Sequence, residues 1–255
     1  MFDNKNMKKP FILLIGDTCR DIYYYGDVNR ISPEAPVPVL DYTFKEEKYG
    51  MGGNVWHNLE KLGCDIVFLT SGRSTKTRFV DAKTKQQLIR FDEDPLRDAV
   101  QLPSLHSNTS KFDAVVISDY DKGSVTYDTI DYVKKYYDGP IFIDTKKNDL
   151  ARFEGMYVKI NQKEYQDAIS YPEEHLITTL GDIGASYKGK LYKTKSIENF
   201  NVCGAGDTFF ASFVYKFLYT NNIDESIIFA NAAGYVTVQQ NGVYSPSLQE
   251  IEGVL

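Results

Sequence analysis

The chain is poor in the residues from which disulfide staples and metal centres are built. Its 255 residues include only three cysteines, Cys19, Cys64 and Cys203, an odd number without a C-x-x-C spacing. Neither a disulfide framework nor a zinc site is suggested, and the thiols are expected to be reduced. Three histidines, His57, His106 and His175, share no close spacing, so a metal triad is not expected. No apolar run approaches the roughly 20 residues of a membrane span. Met1 to Pro10 is polar and charged and lacks the apolar core of a signal peptide, so we expect a cytoplasmic protein with no membrane partner. Positive charge is also short: 29 Lys and Arg stand against 35 Asp and Glu, a net charge of -6, which disfavours a nucleic-acid partner. The 19 tyrosines come without basic companions, which suits edge-strand packing and an interface better than base stacking. There is no G-x-S-x-G elbow, and no G-x-G-x-x-G follows the first apolar run, which argues against an esterase and a dinucleotide enzyme. With no linker, repeat or low-complexity tract, residues 1–255 are expected to form one domain.

Continuous apolar runs at Phe11 to Gly16, Ile66 to Thr70, Ala114 to Ser118, Ile141 to Asp144, Met156 to Ile160 and His175 to Thr178 predict buried strands. Helix-period segments lie between several of them, at Asn54 to Leu62, Thr126 to Tyr137 and Gln162 to Ile169. That alternation predicts an α/β fold whose mostly parallel sheet is covered on both faces. Val37 to Lys48 and Thr77 to Phe91 alternate in polarity, the second turning near Lys83-Thr84-Lys85, and predict an antiparallel lid with one wet face. From Gly204 the chain turns helical, with one apolar stripe through Ala211, Val214 and Leu218 and another through Ile227, Ala230, Asn231 and Val238.

The chemistry concentrates at Cys203-Gly204-Ala205-Gly206-Asp207-Thr208, just before the first of these helices. Small residues there leave backbone N–H groups free to face an anion, and the helix dipole adds positive potential. Asp207 is poorly placed to bind phosphate but well placed to accept a proton from a hydroxyl attacking one. The plainer alternative is a tight turn followed by an acid that the dipole favours.

These residues belong to a wider resemblance. Asn201-Val202-Cys203-Gly204-Ala205-Gly206-Asp207 is similar to the second signature of the PfkB/ribokinase family of carbohydrate kinases, D-T-x-G-A-G-D. Ile15-Gly16-Asp17, Asp21 to Gly26, Arg30 to Val39, Gln86 to Asp92 and Ser118-Asp119-Tyr120-Asp121-Lys122-Gly123 resemble, more narrowly, the family's heptose 7-phosphate kinases. The resemblance runs from about Phe11 to the C-terminus. It implies a ribokinase-like fold, a mostly parallel sheet flanked by helices with a small antiparallel β lid at about 37–48 and 77–91. It also implies ATP and Mg²⁺ as cofactors, a sugar phosphate as substrate, and phosphorylation of the anomeric hydroxyl of a heptose 7-phosphate. A kinase of another sugar, and a binding or assembly protein that keeps the fold, are the alternatives.

Carried over by position, the resemblance makes Asp207 the base and the backbone of Gly204, Ala205 and Gly206 an anion hole. Asp17 and Asn54 become the sugar-hydroxyl ligands. Asn161 and Glu164 match an N-x-x-E element that organises Mg²⁺ through water, although Asn161-Gln162-Lys163-Glu164 is equally a helix capping box. Thr179, Gly181 and Gly184 match a nucleotide-side turn and Asn231 a late adenine-side helix. Lys146 stands at a phosphate-contact position, with an ordinary surface lysine as its plainer reading.

One further reading comes from charge alone. Ser71 to Arg90 holds Arg73, Lys76, Arg78, Lys83, Lys85 and Arg90 against the single acid Asp81. With a turn near Thr84, Arg78 and Arg90 fall opposite each other, so both, with Lys76, could bind the sugar's own phosphate. A solvated hairpin face is the alternative. A homodimer is also expected, the Val37 to Lys48 strands of one subunit covering the partner's sugar site.

The chain departs from the family in places. Met51 interrupts the first glycine signature, Gly50-Met51-Gly52-Gly53-Asn54, and Asn201 replaces an acid that helps hold a monovalent cation, so potassium activation is not expected. Only a short polar connection joins Thr70 to Lys76, where heptose kinases carry a crossover unit. No nucleotidylyltransferase half is expected, so that step is expected to need a separate protein.

Overall fold

The computed structural model describes residues 8–95, 97–102, 111–195, 202–240 and 242–255. Asn201 and His106 lie outside them.

Eight strands form the main sheet. Chain order gives β1 (Phe11–Gly16), β4 (Asp65–Leu69), β7 (Ala114–Asp119), β8 (Ile141–Thr145), β9 (Tyr157–Asn161), β10 (Leu176–Thr179), β11 (Gly184–Tyr187) and β12 (Lys190–Lys193). Their spatial order is β12-β11-β10-β9-β8-β7-β1-β4, parallel from β4 to β10 and antiparallel beyond. Alternate residues of β1 feed two cores. Ile12 and Leu14 pack with Val55, Leu59, Phe210, Phe213 and Ile227 from α1 (Gly52–Lys61), α4 (Ala205–Thr220) and α5 (Ile223–Val238). Leu13 and Ile15 pack on the other face with Ile130 and Val133 of α2 (Tyr127–Tyr136). The continuous apolar runs follow from this double coverage.

The second sheet has four strands, in the order β3 (Pro38–Met51), β2 (Thr18–Ile31), β5 (Arg73–Asp81) and β6 (Gln87–Glu93). Its two flanking pairs are antiparallel, as the lid reading expected, but the central β2–β5 pair is parallel. The fourteen-residue β2 is an element that sequence reading missed, and Tyr23, Tyr24 and Tyr25 lie on this central strand rather than on an edge. The β5–β6 turn is held by Asp81, whose carboxylate accepts from the Thr84 hydroxyl (2.6 Å) and from the Lys83 and Thr84 N–H groups. That turn sets the register, and Arg78 and Arg90 are direct cross-strand partners.

Candidate active site

Parallel strands end together, so the C-terminal ends of β7, β8, β9 and β10 line one cleft of about 820 Å³ with the N-terminus of α4. The cleft gathers Gly204, Ala205, Gly206, Asp207, Lys146, Asn161, Thr179, Gly181, Gly184 and Asn231, nearly all the residues expected on the catalytic and nucleotide side.

Gly204 precedes α4 with φ 78°, and a Cβ there would stand 2.7 Å from the Asn54 amide nitrogen. Both the left-handed backbone and the close approach require glycine. A Cβ on Gly206 would meet Lys159 Nζ at 3.2 Å, so bare backbone and a cation face each other across the turn. This favours a negatively charged ligand.

Asp207, in the first turn of α4, is buried, and each of its oxygens has a donor. The Tyr120 hydroxyl donates to Oδ1 at 2.7 Å, and the Asn54 amide donates to Oδ2 at 2.9 Å. Burial pushes the Asp207 carboxyl up to about 6; the bonds from Tyr120 and Asn54 and the Lys159 charge oppose that rise, and Asp144 adds to it. Asn54 is itself held, its Oδ1 accepting from Asn58 Nδ2 at 3.0 Å. The expected sugar ligand is thus a brace for the acid.

Asp17 also differs from expectation. It is fully buried at the end of β1, where it accepts N–H bonds from Tyr120 (2.9 Å), Lys122 (3.1 Å) and Ser124 (3.1 Å), with Arg97 Nη1 at 3.9 Å. It has no surface to offer a sugar. Asp21, on the lid strand β2, is a second buried acid, one the sequence reading did not single out. Asp21 shares a face of β2 with Tyr23, whose hydroxyl bonds the Cys203 sulfur, so this face turns toward the α4 turn.

The two lid arginines separate. Arg78 bonds Asp21 at 2.5 Å and lies 5.0 Å over the Tyr23 ring, on the face toward the cleft. Arg90, 47% exposed, is gripped by both oxygens of Asp92 at 2.7 and 2.5 Å. Their backbones pair as expected, but the side chains do not converge on one point. Lys76, opposite Asp92 and beside Asp21 in the register, lies on the Arg78 face.

On the nucleotide side the capping-box reading of Asn161 and Glu164 is correct: Asn161 Oδ1 accepts from the Glu164 N–H at 2.9 Å and Glu164 Oε2 from the Asn161 N–H at 2.7 Å. Lys146 completes this corner by bonding Glu164, and its ammonium stands 5.2 Å from the Tyr120 ring centre. Asn231 donates to the Tyr192 carbonyl at 2.8 Å. Sequence reasoning missed the buried pair Lys159–Asp144, 2.8 Å apart, which lines the cleft from adjacent strand positions of β9 and β8. Asp144 Oδ1 has no hydrogen-bond partner.

The model of the pfkB family carbohydrate kinases matches residues 153–250. The bifunctional protein HldE of Sulfurimonas denitrificans is 30% identical over 303 aligned positions, covering 95% of this chain and 64% of that protein. HldE of Helicobacter pylori is 30% identical over 310 positions, covering 98% of this chain and 66% of its own. The chain therefore spans just under two thirds of the length of these relatives. Among solved structures, a ribokinase from Thermotoga maritima superposes with a TM-score of 0.65 at 18% identity, covering 97% of this chain and 99% of that one. Phosphofructokinase-2 from Escherichia coli gives a TM-score of 0.70 at 14% identity over 97% and 98%. The fold is ribokinase-like, and Asp207 with its glycine turn stands within the segment that the model of the pfkB family carbohydrate kinases matches.

Proposed function

We propose that the chain transfers the γ-phosphoryl group of ATP to the anomeric hydroxyl of D-glycero-D-manno-heptose 7-phosphate, giving the 1,7-bisphosphate and ADP. The observation that carries the reaction type is Asp207, buried beside the Gly204–Gly206 turn with a carboxyl tuned to about 6. At neutral pH it is a carboxylate, ready to take the hydroxyl proton as the new O–P bond forms and the P–O bond to ADP breaks. The N–H groups of the turn and the Lys159 ammonium face the charge that develops on the phosphoryl oxygens. The choice of a heptose phosphate rests on the resemblance of Asp21 to Gly26, Arg30 to Val39 and Ser118 to Gly123 to heptose kinases, and on the likeness to the bifunctional relatives.

Magnesium fits the donor set in one way only. No group of three carboxylate, histidine or cysteine ligands occurs among the described residues, and Glu164 is already held by Asn161 and Lys146. Mg²⁺ keeps several waters and binds mainly to substrate phosphates, so Glu164 and Asn161 would hold it through water. When bound, it neutralises charge on the nucleotide phosphates.

In this reading Asp21 takes sugar hydroxyls, and Arg78, with Lys76, takes the 7-phosphate. A coupled ADP-release assay over free sugars and sugar phosphates tests the proposal, with ³¹P NMR locating the new phosphate. Turnover on heptose 7-phosphate well above that on the free heptose supports it. Equal turnover on a free sugar refutes the substrate.

A further inference from the structure

The loop Ser118 to Gly123 is among the most distinctive strings of the sequence, yet the proposed reaction assigns it no task. Its geometry supplies one. Asp17, at the end of β1, receives two backbone N–H groups of this loop, from Tyr120 and Lys122, and a third from Ser124 just after it. A second set of bonds secures the other side: buried Asp119 accepts from the Thr145 hydroxyl at 2.7 Å and pairs with Lys147 at 3.1 Å. Lys147 also reaches Asp121 at 2.8 Å. The Tyr120 backbone is thus fixed from β1 and β8 together, while its ring lines the cleft and its hydroxyl ends 2.7 Å from Asp207 Oδ1.

We propose that Tyr120 is a positioning residue for the base, a donor held by Asp17 that fixes the Asp207 carboxylate and favours its ionised form. This rests on the kinase reading only for its consequence in catalysis, since the tether itself is a property of the fold. Burial beside Asp207 pushes the phenol well above its ordinary value, so the hydroxyl remains a donor throughout the working pH range. The other groups acting on Asp207 are the Asn54 amide and the charges of Asp144 and Lys159. Lys146, Cys19 and Cys203 also feel its charge. Of all these, only Tyr120 and Asn54 donate hydrogen bonds to the carboxylate. Asn54 cannot substitute for the tyrosine, because it serves the opposite oxygen and is locked by Asn58.

The test is Tyr120→Phe, which removes one oxygen and leaves the ring. A hydrogen bond to a charged acceptor of this strength corresponds to about one to two pH units. The Asp207 carboxyl is followed by ¹³C NMR titration of aspartate-labelled protein, its signal assigned with Asp207→Asn. The expected result is a midpoint about one to two pH units higher in Tyr120→Phe than in wild type, with the acidic limb of kcat/KM moving up by the same interval. KM for ATP should stay within about twofold, because the nucleotide does not use this bond. A carboxyl midpoint unchanged to within about 0.3 pH unit overturns the proposal, whatever happens to activity. A shifted midpoint in a protein whose wild type turns over no sugar leaves the tether standing and refutes the kinase reading instead.

Discussion

Burying Asp207 must cost stability when the group is charged, and this cost can be measured without a substrate. A raised folded-state pKa means that the folded chain binds the proton more tightly than the unfolded chain. The resulting stabilisation is full below the unfolded value of 3.8 and is lost as pH rises through about 6. The full difference is about 3 kcal/mol, at about 1.36 kcal/mol for each tenfold gain in proton affinity, and about 1.4 kcal/mol of it falls between roughly pH 5 and pH 7.5. Asp207→Asn removes the titration. It also sets an amide against the Asn54 amide, which costs about 1–3 kcal/mol for a mismatched buried pair, independently of pH. The informative quantity is therefore the change with pH of the stability difference between the two proteins. Urea unfolding followed by the fluorescence of Trp56, the chain's one tryptophan, supplies it. Between pH 5 and pH 7.5 the variant should gain on wild type by about 1.4 kcal/mol. A flat difference, or a gain by wild type, would falsify the claim that burial raises this carboxyl.

The same variant should lose turnover while binding ATP within about tenfold of wild type by calorimetry, since in the proposed reaction the base touches the sugar hydroxyl and not the nucleotide. Arg78→Ala should lower kcat/KM for the sugar phosphate about tenfold to a hundredfold, while Arg90→Ala, on the outer strand β6 with its side chain half exposed, should lower it less than about threefold. Equal effects would return the phosphate to the hairpin as a whole. Lys159→Met leaves Asp144 charged and unpaired in the interior and should cost about 3–5 kcal/mol; adding Asp144→Leu should restore stability in urea unfolding but not activity. The lid face opposite Asp21 exposes Ile89 and Phe91, 60% and 56% accessible, and Tyr42 at 64%, beside Tyr24 and Phe79. We expect this face to be covered in a homodimer; a monomer in analytical ultracentrifugation at micromolar concentration contradicts that.

What the sequence could reveal depended on whether a residue's task was local. β1, β7 and β8 were legible because strands buried on both faces have no alternation to obscure the apolar run. The register of Arg78 and Arg90 was legible because a turn fixes it. β2 was not, since its tyrosines occupy both faces of a partly covered sheet and erase the period-two signal. Asp17 and Asp21 could not be told apart, because both are acids just past an apolar strand and only the fold decides which one is enclosed by N–H groups. Lys159 stands within the apolar run Met156 to Ile160, and nothing local marks it as part of a pair. Its partner Asp144 lies fifteen residues earlier, and they meet only because β8 and β9 align in parallel.

The parts of the site come from the C-terminal ends of the central strands together with α1 and α4. The relatives' alignments run over more positions than this chain has residues, so tens of their residues have no counterpart here. The connection from β4 to β5 is three residues, Thr70 to Gly72, at the place where the resemblance to heptose kinases leads us to expect a missing crossover unit. β4 is the outer strand at this end of the main sheet, with Asp65 and Val67 exposed. Asp207 is held from α1, β7 and α4, and the cleft is built on β8, β9 and β10. Not one of these elements rests on β4's free edge. An edge strand can lose a neighbour and expose its flank to water. A buried acid cannot lose a donor without a change in its charge state, so the bonds to Asp207 are the ones that would tolerate no trimming.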